Sequence, residues 1–257
     1  MSKFLYVSFA RNSFLVSDGE GSFQSFEMYN YEDCVPSVNN VSFYNRKTKQ
    51  TDIILKSNDL EKSNYKVIPY VPIFQSLYSC LNINNKNFQI FIKDRFSISG
   101  LIFKHKIIVV IPDDFIFIDG RCITEFFNNC SFVKQNGVFM VKVGILLSKT
   151  HDSSEPRCVI TKSVRAVSVS LVMYGGFIDQ KIFIKEFNDI NQIKVIIDLW
   201  SNKYNLSNLP VYLYGNDIEL FSSLGTIFTD DEIIKSLRII DSDLTNGLFK
   251  NVKIKTE

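Results

Sequence analysis

The sequence predicts an α/β protein of two related lobes. Residues 106–111, KIIVVI, form an unbroken run rich in β-branched residues, as a strand covered on both faces requires. Pro112-Asp113-Asp114 ends that run, and Cys122, Ile123, Phe126 and Phe127 then recur at helical spacing over 119–130. An alternating segment, a glycine turn and a second strand open the chain, and the same arrangement returns at 157–187. A strand–helix unit combined with repeated hairpins makes each half a mixed sheet with helical cover.

In order along the chain, 4–16 and 23–28 read as strands joined by Asp18-Gly19-Glu20-Gly21, a turn in which glycine supplies positive φ. A strand is expected at about 41–45, after the Pro36-Ser37 breaker, and 46–66 is a polar excursion rich in Lys and Asn. A short helix fits 70–82, and 88–103 fits either a helix or a strand. After the strand and helix of 106–130 comes a strand at about 138–147, then a loop at 148–156 that sets the boundary between a lobe of 1–150 and a reduced lobe of 151–257. The second half reads as a strand over 157–174, a Gly175-Gly176 turn and a strand over 177–187. A helix follows at 189–203, with Ile190, Ile193, Ile197 and Trp200 on one face, then a strand at 210–215, a helix at 216–224, and a helical then extended tail over 230–257.

Composition narrows the function classes. The chain has 257 residues, 46% apolar and 22% charged, with net charge +2, which is globular and too balanced for an obligate nucleic-acid binder. The 23 phenylalanines follow strand alternation and are expected in cores, not in a base-stacking platform. Cysteines 34, 80, 122, 130 and 158 form neither a CxxC pair nor a zinc-finger spacing, and only His105 and His151 could assist them, so reduced, buried thiols in a cytoplasmic protein are expected. No apolar run approaches the ~20 residues of a membrane helix. Any membrane association, peripheral at an inner membrane, would therefore come through partners.

Several strings, in this order, resemble the superfamily of actin, sugar kinases and DnaK-type chaperones. FLYVSFARNSFLVSDGEG at the start sits where that family has its first phosphate loop. VPSVNNVSF at 35–43 resembles the strand that follows, and KHKIIVVIPDDFIFIDGRCITEFFNNC at 104–130 resembles the first connecting region. There Pro112, Phe115 and Arg121 take family-like positions, with one residue of slippage before the arginine. RCVITKSVRAVSVSLVMYGG at 157–176 falls at the second phosphate loop, and LPVYLYGND at 209–217 at the adenosine loop. The resemblance implies a two-lobed actin-like, ribonuclease H-like fold with a reduced second lobe.

It also implies where the chain departs from its family. Active members place an Asp at the first strand end and glycines in the turn, so that Mg²⁺ is organised and backbone N–H groups reach phosphate. Here Val7 to Arg11 supply neither, the second loop is Thr161-Lys162-Ser163-Val164-Arg165, and the adenosine loop keeps Gly215 alone, after Tyr214. Arg11 and Arg165 read as solvated turn residues, with a nonstandard anion site as the other reading. Only 188–208 lie between the second hairpin and the adenosine-loop strand, where nucleotide-dependent relatives carry an extra subdomain. Asp113 and Asp114 read as helix-entry or surface groups, Asp230-Asp231-Glu232 as complements to a helix dipole, and Lys250, Lys253 and Lys255 as solvating charges.

These expectations converge on a non-catalytic protein without a cofactor or metal. It resembles the cytoplasmic actin-like scaffolds of type IV pilus and type II secretion assembly platforms and binds protein partners, with Arg165, Tyr212 and Tyr214 as candidate contacts. A homo-oligomer is compatible with this reading. The alternatives are a nucleotide-dependent DnaK-like chaperone or polymerising actin homologue, and an unrelated α/β binding protein or clamp-like ring subunit.

Overall fold

A computed structural model describes residues 4–11, 13–28, 41–45, 50–54, 73, 74, 77, 80–98, 104–148, 155–206 and 209–245. The first sheet is built from β1 (Phe4–Ser8), β2 (Leu15–Ser17), β3 (Gln24–Ser25), β6 (His105–Ile111) and β7 (Val133–Lys142), in the order β3-β2-β1-β6-β7. The second uses β8 (Arg157–Lys162), β9 (Ala166–Met173), β10 (Gly176–Ile184), β11 (Val211–Gly215) and β12 (Thr226–Ile227), in the order β10-β9-β8-β11-β12. Each is an antiparallel three-strand meander continued by two parallel strands. The hairpins over 4–28 and 157–187 thus hold equivalent places in two sheets, as the repeat predicts. A separate hairpin joins β4 (Val41–Asn45), the strand expected there, to β5 (Gln50–Ile54), which falls inside the stretch expected to be a polar excursion.

Period-2 alternation distributes the apolar runs over three cores. Leu5 and Val7 of β1, with Ile107, Val109 and Ile111 of β6, face the outer core of the first lobe. Phe4, Tyr6, Ile108 and Val110 face the other way, onto a central core shared with Val159 and Val172 of the second sheet. Cys158, Ile160 and Val169 face the outer core of the second lobe. The KIIVVI strand is therefore buried on both faces, as its sequence requires.

Helices α1 (Leu81–Phe96) and α2 (Phe117–Asn128) cover the first outer core. Phe14 is its hub, with the rings of Phe9, Phe26 and Phe88 at 4.7, 5.0 and 5.0 Å. Most of the described phenylalanines pack in these cores, as their alternation predicts, whereas Phe117 at the start of α2 is 66% exposed. Helix α3 (Val143–Ser148) continues β7 and fills the central core with Val143, Leu146 and Leu147. The strand expected at 138–147 therefore begins earlier and ends at Lys142. The apolar run that prolonged it is a short helix buried among several neighbours, which a short apolar run cannot distinguish from a strand.

Helix α4 (Ile190–Lys203) is capped by Asp189, whose carboxylate accepts the Gln192 N–H at 3.0 Å, and it buries Ile193 and Trp200. A 3-10 helix spans Ile218–Leu224. Helix α5 (Asp230–Thr245) starts in a reciprocal capping box. The Thr229 N–H donates to Glu232 Oε2 at 2.7 Å, and the Glu232 N–H donates back to Thr229 Oγ1 at 3.4 Å. Ile233, Leu237 and Ile240 place this last helix on the central core beside β1 and α3. Among the described residues no helix is long and apolar enough to cross a membrane. Cys34, His151, the 35–40 part of the VPSVNNVSF string, and the lysines of the tail lie outside the described residues.

Candidate functional site

The second loop opens on a serine-built turn. Ser163 donates its N–H to the Ala166 carbonyl at 2.9 Å, while its Oγ accepts the N–H groups of Arg165 and Ala166 at 3.0 and 3.1 Å. That turn aims Arg165 across to the first lobe. Its Nε donates to Asp114 Oδ2 at 2.8 Å and its Nη2 to Asp119 Oδ2 at 2.7 Å. The three side chains are only 6–7% exposed. Asp119 also accepts the Ile116 N–H at 3.1 Å in the first turn of α2, where a negative charge suits the helix dipole. Arg165 is therefore neither a solvated turn residue nor a surface contact for a partner. It bridges the second loop to the connecting region.

Beside this bridge, Asp113 is buried and its two carboxylate oxygens are taken. Oδ1 accepts the Gly144 N–H at 2.9 Å and Oδ2 accepts the Thr161 hydroxyl at 3.0 Å. A Cβ at residue 144 would lie 2.9 Å from Asp113 Oδ2, so glycine is what lets the carboxylate seat there. Thr161, expected in a vestigial loop, is a buried strand-end residue whose hydroxyl ties the second sheet to Asp113. Neither aspartate is a surface group.

Burial pushes the Asp113 carboxyl up to about 6, opposed by the Gly144 N–H, the Thr161 hydroxyl and the Lys142 charge, and helped by the neighbouring Asp114 charge. Between about pH 4 and 6 the native state then holds a proton that the unfolded chain has released, so stability falls as pH rises through that window. Urea unfolding of wild type and Asp113→Asn at pH 4 and pH 7 should show it. Relative to the variant, wild type is expected to lose about 2–3 kcal/mol on going to the higher pH. Parallel pH profiles would remove Asp113 as the titrating group.

The first loop begins at Phe9, after β1, so Val7 and Ser8 of the aligned Val7–Arg11 stretch belong to the strand and Phe9 to Arg11 to the loop. Val7 itself is fully buried in β1, opposite Val109. The Phe9 N–H donates to the Val110 carbonyl at 2.9 Å, and Phe9 and Phe14 pack in the outer core. Arg11 leaves this loop for the second lobe. Its guanidinium sits 4.7 Å above the Tyr214 ring and its Nε is 3.5 Å from Asp230. Tyr214 is 1% exposed and donates its hydroxyl to Asp230 Oδ1 at 2.6 Å. So Tyr214 is an interior residue of the central core and offers no partner a surface. Tyr212 is half-buried, its ring 4.9 Å from that of Phe228.

Gly215 takes φ +138°, and a Cβ there would fall 2.1 Å from the Lys162 carbonyl oxygen. The Asn216 N–H donates to that same carbonyl at 2.9 Å. Glycine is required because the ends of β8 and β11 approach too closely for any side chain. This is a strand-packing reason that holds with no ligand.

These residues do not fit a Mg²⁺–phosphate group. The turn of the first loop brings a cation and no carboxylate, and the second brings hydroxyls and Arg165. Asp113, Asp114, Asp119 and Asp230 are each engaged by donors of the chain itself. A hard Mg²⁺ needs free carboxylate and phosphate oxygens. What the arrangement does is hold two lobes together. Asp119, Gly144 and Asp230 are the partners that sequence reasoning missed. The Thr229-x-x-Glu232 capping box marks the helix that carries Asp230, but no signal pairs Arg165 with an aspartate 46 residues away.

No protein-family model matches the chain, and no curated protein resembles it in sequence. Solved structures do resemble it in fold. The AlfA filament bound to AMPPNP superposes with a TM-score of 0.50 at 11% identity, over 97% of this chain and 100% of that one. MreB 5 of Spiroplasma citri bound to AMPPNP gives 0.49 at 10% identity, over 95% and 97%. At such identities the likeness concerns architecture alone. With the repeated sheet order, it establishes that the chain has the two-lobed actin-like fold.

Proposed function

We propose that this chain is a non-catalytic actin-like scaffold, which binds partner proteins in a bacterial membrane-associated assembly of the pilus or secretion type and does not turn over ATP. The observation that supports it best is the Arg165 bridge to Asp114 and Asp119. An internal cation and two carboxylates meet between the second loop and the connecting region, where the family resemblance puts a nucleotide's phosphates and metal. With the loops joined in this way, the outer surface of the body is what remains to act on other molecules. The machine itself is inferred from the resemblance to pilus and secretion scaffolds, which is analogy at the level of fold.

A thermal-shift titration with Mg-ATP tests the non-catalytic part. A ligand present at a hundred times its dissociation constant stabilises the native state by about 2.7 kcal/mol, a displacement of several degrees that such a scan resolves. The expected result is an unchanged melting temperature at millimolar Mg-ATP. A saturable rise would contradict it and direct attention to Arg11 and Arg165 as phosphate ligands. The likeness to the AlfA filament favours a second reading, a nucleotide-dependent polymerising protein. Pelleting of the chain only in the presence of Mg-ATP would establish that reading instead.

A further inference from the structure

Among the described residues, strand β10 closes the second sheet on one side and pairs with β9 alone. No described strand lies beside the other side of its nine residues, which is a template for another strand. Its sequence is close to a palindrome in chemical type about Gln180. Reading outward in both directions, Gln180 is followed by Asp179 or Lys181, then Ile178 or Ile182, then Phe177 or Phe183. Placed antiparallel to itself about a two-fold axis at Gln180, the strand sets Asp179 opposite Lys181 of the second copy, and Lys181 opposite its Asp179. Both residues lie on the same face of the sheet, since they oppose Leu171 and Val169 of β9.

The exposed side chains match this pairing. Ile182 is 55% exposed, and Ile178, the extra residue where the β9–β10 register shifts, is 41% exposed. The Gln180 N–H donates at 2.8 Å to Oδ1 of its own neighbour, Asp179, while Oδ2 of that carboxylate accepts the Trp200 indole N–H at 3.1 Å. Lys181 Nζ lies 3.6 Å from the same Asp179 Oδ1. A lone lysine on an edge usually repels an incoming strand. An acid and a base flanking the centre do the opposite for one particular strand, a copy of this one.

We propose that β10 is a self-association surface, at which two chains pair edge to edge about Gln180 and their five-stranded sheets join into one continuous sheet. In that pair the Gln180 residues exchange N–H···O=C bonds, and each Asp179 Oδ1 passes from its own strand to Lys181 of the second copy. The surface needs no nucleotide and stands whether or not the scaffold reading holds.

Sedimentation equilibrium of the full chain, from low micromolar to several hundred micromolar, should show a monomer–dimer equilibrium. Lys181→Asp sets aspartates opposite each other twice per dimer and is expected to raise the dissociation constant about ten-fold or more. Its fold should survive, because Lys181 is exposed. Gln180→Cys places two thiols across the axis, where Cβ atoms of facing residues lie about 5 Å apart, so mild oxidation should give a covalent dimer absent from wild type. Lys185→Cys, about 30 Å from its mate in that register, should give none. A chain that sediments as a monomer throughout overturns the proposal. So does a dimer that Lys181→Asp leaves unweakened, or one that cross-links at residue 185 and not at 180.

Discussion

Arg165→Ala is expected to destabilise the protein by about 3–5 kcal/mol, because it leaves the carboxylates of Asp114 and Asp119 desolvated and without their cation. The side chains of all three are nearly excluded from solvent, so water cannot replace the guanidinium without opening the contact between the second loop and α2. Chemical denaturation at neutral pH measures the loss. Arg165→Met combined with Asp114→Asn and Asp119→Asn tests the cause, since removing every charge of a buried group together costs far less than removing one. The combined variant should recover most of the stability. A loss below about 1 kcal/mol for Arg165→Ala, in the range of an exposed pair, would mean that the bridge does not hold the lobes. The non-catalytic reading would then lose its main support.

The lobe repeat was legible because both meanders carry a glycine turn, with Gly19 at φ +83° and Gly175 at φ +71°. In each lobe, however, the turn before it was invisible. The segments 4–16 and 157–174 read as single strands, yet each is a strand, a loop and a second strand. The reason is physical. Phe9 and Phe14 are core residues that keep the apolar pattern running through the first loop, and in the second a serine side chain makes the turn without glycine or proline. With no glycine in either turn, neither segment reads as a loop. Helix α1 was ambiguous for a related reason, since its core face includes Asn84 and Asn85 beside Phe88 and Ile92. At the candidate site, the residue types were readable and their partners were not. An aspartate or arginine next to a loop reads as solvated unless its counter-charge is known, and here each counter-charge comes from the other lobe. Hence Arg165, which reads as a solvated turn residue, and Asp114, which reads as a helix-entry or surface group, are both found inside.

Tyr214→Ala is expected to cost about 3–5 kcal/mol, the range for deleting a fully buried aromatic ring. It would open a cavity in the core that joins the two sheets and take from Arg11 the ring beneath it. Tyr214→Phe separates ring from hydroxyl. Burial first, and then the adjacent Asp230 charge, hold this phenol far above its ordinary pKa, so it is a donor at every working pH and its bond to Asp230 is charge-assisted. The Phe variant should therefore lose about 1.5–3 kcal/mol, as for a hydrogen bond to a charged group, and keep the rest. In a double-mutant cycle, Tyr214→Phe with Asp230→Asn should couple, because the two residues share one bond. The outcome also decides between two roles for residue 214. A tyrosine that served as a partner contact would tolerate alanine with less than about 1 kcal/mol of stability lost, as exposed positions do, and the penalty would appear in binding. A large stability loss, graded Ala over Phe, fixes Tyr214 as the point where the first loop, the end of β11 and the start of α5 are joined.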